Sequence, residues 1–377
     1  MKIVNPFFPI ISLVLFFSAT AQKNNLKIKF GDVKPGDFTP AVYMVDSSAN
    51  AVILADIGSS SFDGSSGGDF VLVYNQHKRI RIMNKNGYSA ATIEIPLYVN
   101  ENEEEKIANL EAVTYNLENG QVVATKLDKA SEFKEKYSAH YVIEKFTFPN
   151  LKEGSIIEYH YSIISIAGYY SNLRAWDFQG NLPCLWSEYA VTIPIDIFDY
   201  VIFKQGYLPY AVDTSSSSHK TYAINYNRPN AILRNSIYST TVTARWAMQD
   251  VPSLKPENYI TSLDNYKARI DFQLNSIRYS ETNVVEYMGN WKQMAERMMK
   301  REDFGMAINA DNTWMNDDLK GISASTADDY LKAKKVYEYL RDNFTCTKYY
   351  GLFVTTTLKK VFENKSGSVS DINLLLV

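Results

Sequence analysis

The first two-thirds of the chain alternates apolar and polar residues in short runs. At residues 79–82 the order is Arg-Ile-Arg-Ile, which places isoleucines on one face of a strand and arginines on the other. Similar runs recur from residue 26 to about residue 248, and two of them flank Glu-Asn-Gly at residues 118–120, which predicts a hairpin. The pattern therefore predicts a mainly β region that is β-sandwich-like.

Polar stretches within this region predict loops and solvated surfaces. Residues 59–68 are rich in serine and glycine and predict a mobile surface loop, and the serines at residues 215–218 predict a hairpin tip. A basic cluster is interpreted as the solvent-facing side of a strand and consists of Lys78, Arg79, Arg81 and Lys85.

After Met248 the pattern becomes helical. A proline-bearing linker at residues 250–257 and one more strand precede a predicted helix at residues 291–301. A stronger helix begins after Ser325, with Ser325 or Thr326 as its N-cap. Its apolar stripe consists of Tyr330, Ala333, Tyr337, Leu340 and Phe344. The predicted fold class is α+β overall.

The N-terminus predicts export from the cell. Lys2 precedes an apolar core, and Ala-Thr-Ala at residues 19–21 forms a small-residue cleavage site, so residues 1–21 are predicted to be a signal peptide. A membrane anchor is the alternative, but the apolar stretch is shorter than the roughly 20 residues that span a bilayer. The predicted location is the periplasm, the cell envelope or the extracellular space, with no transmembrane segment after signal removal.

Composition limits the classes of function. The mature part, about 355 residues, predicts two or three domains. With 46% hydrophobic residues and a formal net charge of -3, the chain can bury a core and has no strong basic character. Nucleic acid is therefore not an expected partner.

Cysteine and histidine positions give no metal or cofactor site. Cys184 and Cys346 either form one disulfide or remain free thiols, and neither belongs to a CxxC motif. The four histidines are scattered and are His77, His140, His160 and His219. We predict no metal and no cofactor.

An ordered set of aromatic and polar residues carries a family resemblance. The set consists of Trp176, Phe178, Gln179, Pro183, Trp186, Ser187 and Glu188. Together with Trp246 and the proline-bearing stretch, it resembles the DUF3857 family over residues 40–285. That family precedes a transglutaminase-like domain in exported bacterial proteins, notably in Bacteroidota. For stability alone, Trp176 and Trp186 are interpreted as core aromatics.

A second stretch, from residue 333 onward, resembles the entry to a transglutaminase-like active site. In active members a Gly-x-Cys-x-Asp/Glu turn opens the central helix. Gly367 and Asp371 match this turn, but Val369 stands at the cysteine position. The resemblance implies three segments: the signal peptide at 1–21, a DUF3857-like β domain at 22–285 and an incomplete transglutaminase-like domain at 286–377.

The substitution at residue 369 determines the predicted chemistry. The mechanism needs a thiolate activated by a helix N-terminus and an imidazole, and valine offers no ionisable group. The family's histidine and aspartate follow the cysteine, whereas every histidine of this chain precedes residue 369. Cys346 is a candidate nucleophile only by elimination, since it has no identified base. We therefore predict no catalytic residue, with a degenerate site near Gly367, Val369 and Asp371.

Three hypotheses of function follow. The first is an exported, non-catalytic scaffold or binding protein, whose unknown partner is an envelope protein, a peptide or a polysaccharide. The second is a transglutaminase or cysteine-peptidase-like enzyme completed by residues beyond Val377. The third is a glycan- or peptide-binding module, which requires exposed aromatic residues among Trp176, Trp186, Tyr169 and Tyr170.

Overall fold

The computed structural model describes residues 28–39, 43–65, 67–100, 102–138, 140–168, 173–228, 231–323, 327–349 and 351–377. The chain divides into two units between Val285 and Glu286. The predicted signal peptide lies outside the described residues. Within the described part, no helix is both long enough and apolar enough to cross a membrane.

The first unit is built almost entirely from strands. They are β1 (Ala51–Gly64), β2 (Phe70–Ile82), β3 (Thr92–Tyr98), β4 (Lys106–Glu118), β5 (Gln121–Lys126), β6 (Glu132–Lys136), β7 (Tyr141–Thr147), β8 (Ile156–Ile164), β9 (Trp176–Asp177), β10 (Cys184–Pro194), β11 (Phe198–Gln205), β12 (Val212–Arg228), β13 (Ala231–Val251), β14 (Arg269–Arg278) and β15 (Val284–Glu286). This architecture confirms the mainly β prediction for the region.

Three sheets share one core in this unit. The large sheet has eight strands in the order β12-β13-β10-β1-β2-β8-β4-β5. All its neighbours are antiparallel except β1 and β10, which are parallel. Strands β9, β11, β14 and β15 form a four-stranded sheet, and β3, β7 and β6 form a three-stranded sheet. Phe62, Phe146 and Phe198, one from each sheet, belong to the same buried cluster.

Two serine-rich stretches that were predicted to be loops lie wholly or partly in strands. Residues 59–64 continue β1, so the loop predicted at 59–68 begins only after Gly64, and residues 215–218 lie well inside β12, so the predicted hairpin tip was wrong. The hydroxyl groups find partners across the sheet. Ser60 bonds to the phenol of Tyr189 at 2.7 Å, and Ser218 bonds to Thr241 at 2.7 Å. Cross-strand hydrogen bonding of this kind makes hydroxyl side chains compatible with a sheet.

Three residues of the basic cluster, Lys78, Arg79 and Arg81 on β2, are largely buried, so their interpretation as a solvent-facing side was wrong, whereas Lys85 lies beyond β2 and is exposed. Arg79 bonds to the carboxylate of Glu158, and Arg81 donates to backbone carbonyls of residues 37–39. Lys78 forms an ion pair with Asp56 at 2.6 Å. The arginines thus fix the N-terminal segment, residues 28–39, onto the large sheet.

The second unit, Glu286–Val377, is mainly helical. Its elements are α1 (Trp291–Met299), α2 (Gly305–Asn309), α3 (Asn316–Ser323), α4 (Asp329–Asn343), β16 (Thr345–Lys348), α5 (Leu358–Asn364), β17 (Ser366–Ser368) and α6 (Val369–Leu376). Its buried core consists of Leu340, Leu358, Val361, Leu374 and Leu375. A β unit followed by a helical unit confirms the α+β class.

Helix α4 begins later than predicted. Asp328 is its N-cap and accepts a hydrogen bond from the backbone nitrogen of Leu331 at 2.9 Å. The predicted caps Ser325 and Thr326 lie outside the described residues. The apolar stripe is only partly covered, because Leu340 is buried whereas Tyr330 is 76% exposed.

Candidate functional site

The predicted transglutaminase-like corner lies where β17 passes directly into α6. Ser368 is the N-cap: its hydroxyl accepts from the nitrogen of Asp371 at 3.1 Å, and its own nitrogen donates to the Asp371 carboxylate at 2.8 Å. This reciprocal pair is a capping box, so Val369 is the first helical residue. A Cβ on Gly367 would approach the Cβ of Asp371 to 2.8 Å, so this turn requires glycine.

Asp371 anchors the loop that precedes α5. Its carboxylate accepts from the nitrogen and the hydroxyl of Thr355, both at 2.7 Å, and from the hydroxyl of Ser368 at 2.8 Å. Burial alone would raise the pKa of Asp371, but these hydrogen bonds hold that pKa below its ordinary value. The carboxylate is thus fully engaged in holding the corner together.

The thiol of the second unit lies beside Gly367. Cys346 on β16 pairs with Gly367 on β17, and its sulfur donates to the carbonyl of Lys348 at 3.2 Å. Both Cys346 and Cys184 are free thiols. Residues 286–377 contain no histidine, so no imidazole of this unit can activate Cys346.

An open groove of about 740 Å³ also lies in the second unit. Met306, Trp314 and Leu358 contribute apolar surface, and Glu302 and Asp311 contribute carboxylates. Thr355, which bonds to Asp371, lines it as well. Neither a cysteine nor a histidine is among the lining residues. The groove can therefore accommodate a ligand but offers no thiol or imidazole for catalysis.

The aromatic motif residues of the first unit pack into its core. Trp176 is 3% exposed, stacks on Tyr189 with a centroid distance of 4.9 Å, and donates its indole N–H to Ser187 at 3.0 Å. Trp186 is 5% exposed and donates to Glu188 at 2.9 Å. Because both tryptophans are buried, neither can supply the exposed aromatic surface that the glycan- or peptide-binding hypothesis requires. Tyr169 and Tyr170 lie outside the described residues.

The remaining motif residues contact segments that are distant along the chain. The Gln179 side chain donates to the carbonyl of Pro252 at 3.0 Å and accepts from the nitrogen of Ala268 at 3.3 Å. The carbonyl of Pro183 accepts from Ile53 at 2.9 Å. Glu188 receives a two-pronged contact from Arg245, and Phe178 is buried. We conclude that the motif connects the large sheet to the four-stranded sheet.

A buried ionic cluster escaped the sequence analysis. His77 and His160, predicted to be scattered, are direct partners on β2 and β8. Glu158 accepts from His77 at 2.8 Å, from Arg79 at 2.7 Å and from the nitrogen of Gly31 at 3.0 Å. Burial would raise the pKa of Glu158, but these bonds and the Arg79 charge hold the pKa below its ordinary value.

Only the register of β2 against β8 reveals this cluster, because Glu158 lies far along the chain from its partners. Its geometry serves the docking of residues 28–39. Among the residues that the structure describes, no group of three or more histidine, cysteine or acidic side chains could hold a metal ion.

Comparison with known proteins gives one family match. Residues 69–233 match DUF3857, described as a domain of unknown function with a solved structure, which confirms that part of the resemblance. No curated protein matches the chain. The transglutaminase-like part of the resemblance stays a prediction.

One of the similar solved structures shares the fold at low sequence identity. A putative protease from Parabacteroides distasonis ATCC 8503 has 11% identity and a TM-score of 0.51, over 87% of this chain and 57% of that chain. This chain thus spans little more than half of that structure's length. An M1 zinc metallopeptidase from Deinococcus radiodurans has 9% identity over 56% of this chain and 46% of that chain, with a TM-score of 0.21, too low to show a common fold.

Proposed function

We propose that this protein is an exported, non-catalytic scaffold or binding protein. In this proposal the β unit provides the binding surface, and the transglutaminase-like unit is retained as a packing partner. The observation that carries it is Val369, which occupies the first position of α6 where active relatives of the resembled family would have a cysteine.

Catalysis at this corner would need a nucleophile. A helix N-terminus activates a thiol by stabilising its thiolate, and a valine side chain cannot ionise there. The neighbouring hydroxyls are committed to other bonds. Ser368 bonds to Asp371, and Ser370 donates to the carbonyl of Phe353 at 2.8 Å. Residues 286–377 contain no histidine that could remove the proton of either serine.

Three observations support the accompanying proposals of location and organisation. Residues 1–21 have the charge and hydropathy pattern of a signal peptide, which supports export. The division between Val285 and Glu286 supports segments at 22–285 and 286–377. The capped turn of Gly367, Val369 and Asp371 supports the transglutaminase-like assignment. An envelope protein, a peptide or a polysaccharide is the proposed class of partner.

The proposal is tested by assaying purified protein for amine incorporation into casein and for hydrolysis of peptide amides. We expect no activity above buffer. Cys346→Ser is the informative variant, because it removes the thiol beside Gly367. Activity that iodoacetamide abolishes and that Cys346→Ser lacks would overturn the proposal.

Val369→Cys supplies the matched control. A cysteine at the start of α6 should react with iodoacetamide more readily than an ordinary thiol, because the helix N-terminus lowers its pKa. We still expect no turnover, since residues 286–377 contain no imidazole. Alkylation of this variant measures the reactivity of a thiol at the corner, and the activity assays show separately that reactivity alone gives no catalysis.

An enzyme of the transglutaminase or cysteine-peptidase type is the second candidate. The position of Cys346 beside Gly367 favours it, because the thiol lies at the edge of the corner. This candidate requires a histidine from outside residues 286–377. Thiol-dependent turnover that Cys346→Ser lacks favours this candidate, and absence of turnover favours the first.

A further inference from the structure

A cleft of about 370 Å³ opens between two sheets of the first unit. Val191 on β10 and Trp246 on β13 line one side, and both are buried. Tyr200 and Ile202 on β11 line the other. Ile202 is 37% exposed and Ile195, in the turn before β11, is 48% exposed. Apolar walls therefore continue from the core out to solvent.

Polar groups gather where β11 begins and β14 ends. Asp199 and Ser276 are direct partners across these strands, and Arg278 follows two residues later. Asp199 accepts a hydrogen bond from the side chain of Asn275 at 2.6 Å. Within the described residues, the exposed Arg278 guanidinium forms no ion pair. Its five N–H groups remain available to an anion.

We propose that this cleft binds a fatty acid, with the acyl chain between the sheets and the carboxylate on Arg278. This rests on the proposed binding function of the β unit and adds a small-molecule ligand to the partners proposed above. The volume lies within the range of about 300–1,000 Å³ that is usual for small-molecule sites. A bound acyl chain would cover the apolar walls of the cleft and exclude water from them, which is favourable. A guanidinium binds a carboxylate through two parallel hydrogen bonds.

The two opposite charges at this end of the cleft determine the direction in which each variant should change ligand affinity. Arg278 attracts an anionic head group, and Asp199 repels it. Removing the first charge should weaken binding, and removing the second should strengthen it. A cationic ligand would respond in the opposite way to both changes, and a neutral one would respond to neither.

The experiment compares three probes that share a dodecyl chain: dodecanoate, dodecanol and dodecyltrimethylammonium, each below its micelle-forming concentration. Binding is followed by calorimetry on the mature protein. We expect dodecanoate to bind most tightly. Arg278→Gln should weaken dodecanoate about tenfold and leave dodecanol unchanged. Asp199→Asn should tighten dodecanoate.

Two further variants keep the test clear. Arg341→Gln removes the same charge from the second unit and should leave dodecanoate binding unchanged. Ala244→Trp fills the cleft and should abolish binding of all three probes, with circular dichroism confirming that the protein remains folded. Absence of saturable dodecanoate binding by the wild type overturns the proposal, and so does tighter binding of dodecyltrimethylammonium.

The result of this binding experiment does not depend on the result of the thiol assays. It measures binding to the first unit, whereas the thiol assays measure turnover by the second. Loss of the fatty-acid proposal leaves the non-catalytic proposal intact, and thiol-dependent turnover would not alter the binding result.

Discussion

Trp176 lies across the backbone of Gly58 so closely that a Cβ on Gly58 would come within 2.2 Å of the indole ring. Gly58 is on β1 of the large sheet, and Trp176 is on β9 of the four-stranded sheet. The absence of a side chain at residue 58 is therefore what allows the two sheets to meet at this point.

We predict that Gly58→Ala destabilises the first unit by about 1–3 kcal/mol or more, because a rigid buried indole cannot move aside. Gly180→Ala is the matched control, since a Cβ at Gly180 meets no atom within 4 Å. Urea denaturation measures both. Equal urea midpoints for Gly58→Ala and Gly180→Ala would show that the two sheets accommodate the added methyl group without loss of stability.

Replacing Glu158 should release the N-terminal segment. We predict that Glu158→Gln costs about 3–5 kcal/mol, because Arg79 is left buried without its counter-charge. Residues 28–39 should become accessible to protease. Glu111→Gln is the control, as Glu111 forms a more exposed pair with His160, and we expect it to cost about 0–1 kcal/mol.

Acid should weaken the corner around Asp371. Its pKa is lower in the folded protein than the ordinary 3.8, so the folded state binds fewer protons than the unfolded chain as the pH falls below that value. The stabilisation is present above about pH 3.8 and is lost as the pH falls through the lowered pKa.

The test compares the wild type with Asp371→Asn in urea at several values between about pH 7 and about pH 3. The variant should be less stable at neutral pH, by about 1.5–3 kcal/mol, since it loses hydrogen bonds to a charged group. It should also lose less stability on acidification. If the free energy of unfolding falls equally with pH in both proteins, Asp371 is not the group responsible for the acid dependence.

The two cysteines should differ in reactivity. Burial raises the pKa of the Cys184 thiol to about 12, and the side chain is inaccessible. Cys346 is only partly buried. Because alkylation requires the thiolate, iodoacetamide should modify Cys346 first and leave Cys184 protected in the folded protein. Mass spectrometry of peptides from native and denatured samples checks this order.

Local signals predicted the features that depend on adjacent residues. The resemblance at Gly367 and Asp371 predicted a turn that opens a helix, and α6 begins there, with a capping box between Ser368 and Asp371, which are three positions apart. The period of two at residues 79–82 likewise predicted β2 correctly.

Features that depend on distant partners could not be predicted in this way. A period of two shows that Arg79 and Arg81 share a face but not that residues 28–39 cover that face. The cleft beside Arg278 needs the mutual placement of β10, β11, β13 and β14, which no local pattern contains. The serine-rich composition at residues 59–64 predicted a loop, although these residues lie in β1. The hydrogen-bonding partners of such serines lie on other strands, so the sequence alone could not reveal them.

The parallel pairing of β1 with β10 has a consequence for the order of folding. Ile53 is the partner of Cys184, and all of β2 to β9 lies between them in the chain. As synthesis proceeds from the N-terminus, the β1–β2 hairpin can form early, but its outer edge has no neighbour until β10 emerges. Closing so long an intervening stretch is entropically costly and slow. Throughout that interval β1 has an unpaired strand edge, of the kind that promotes pairing between chains and aggregation.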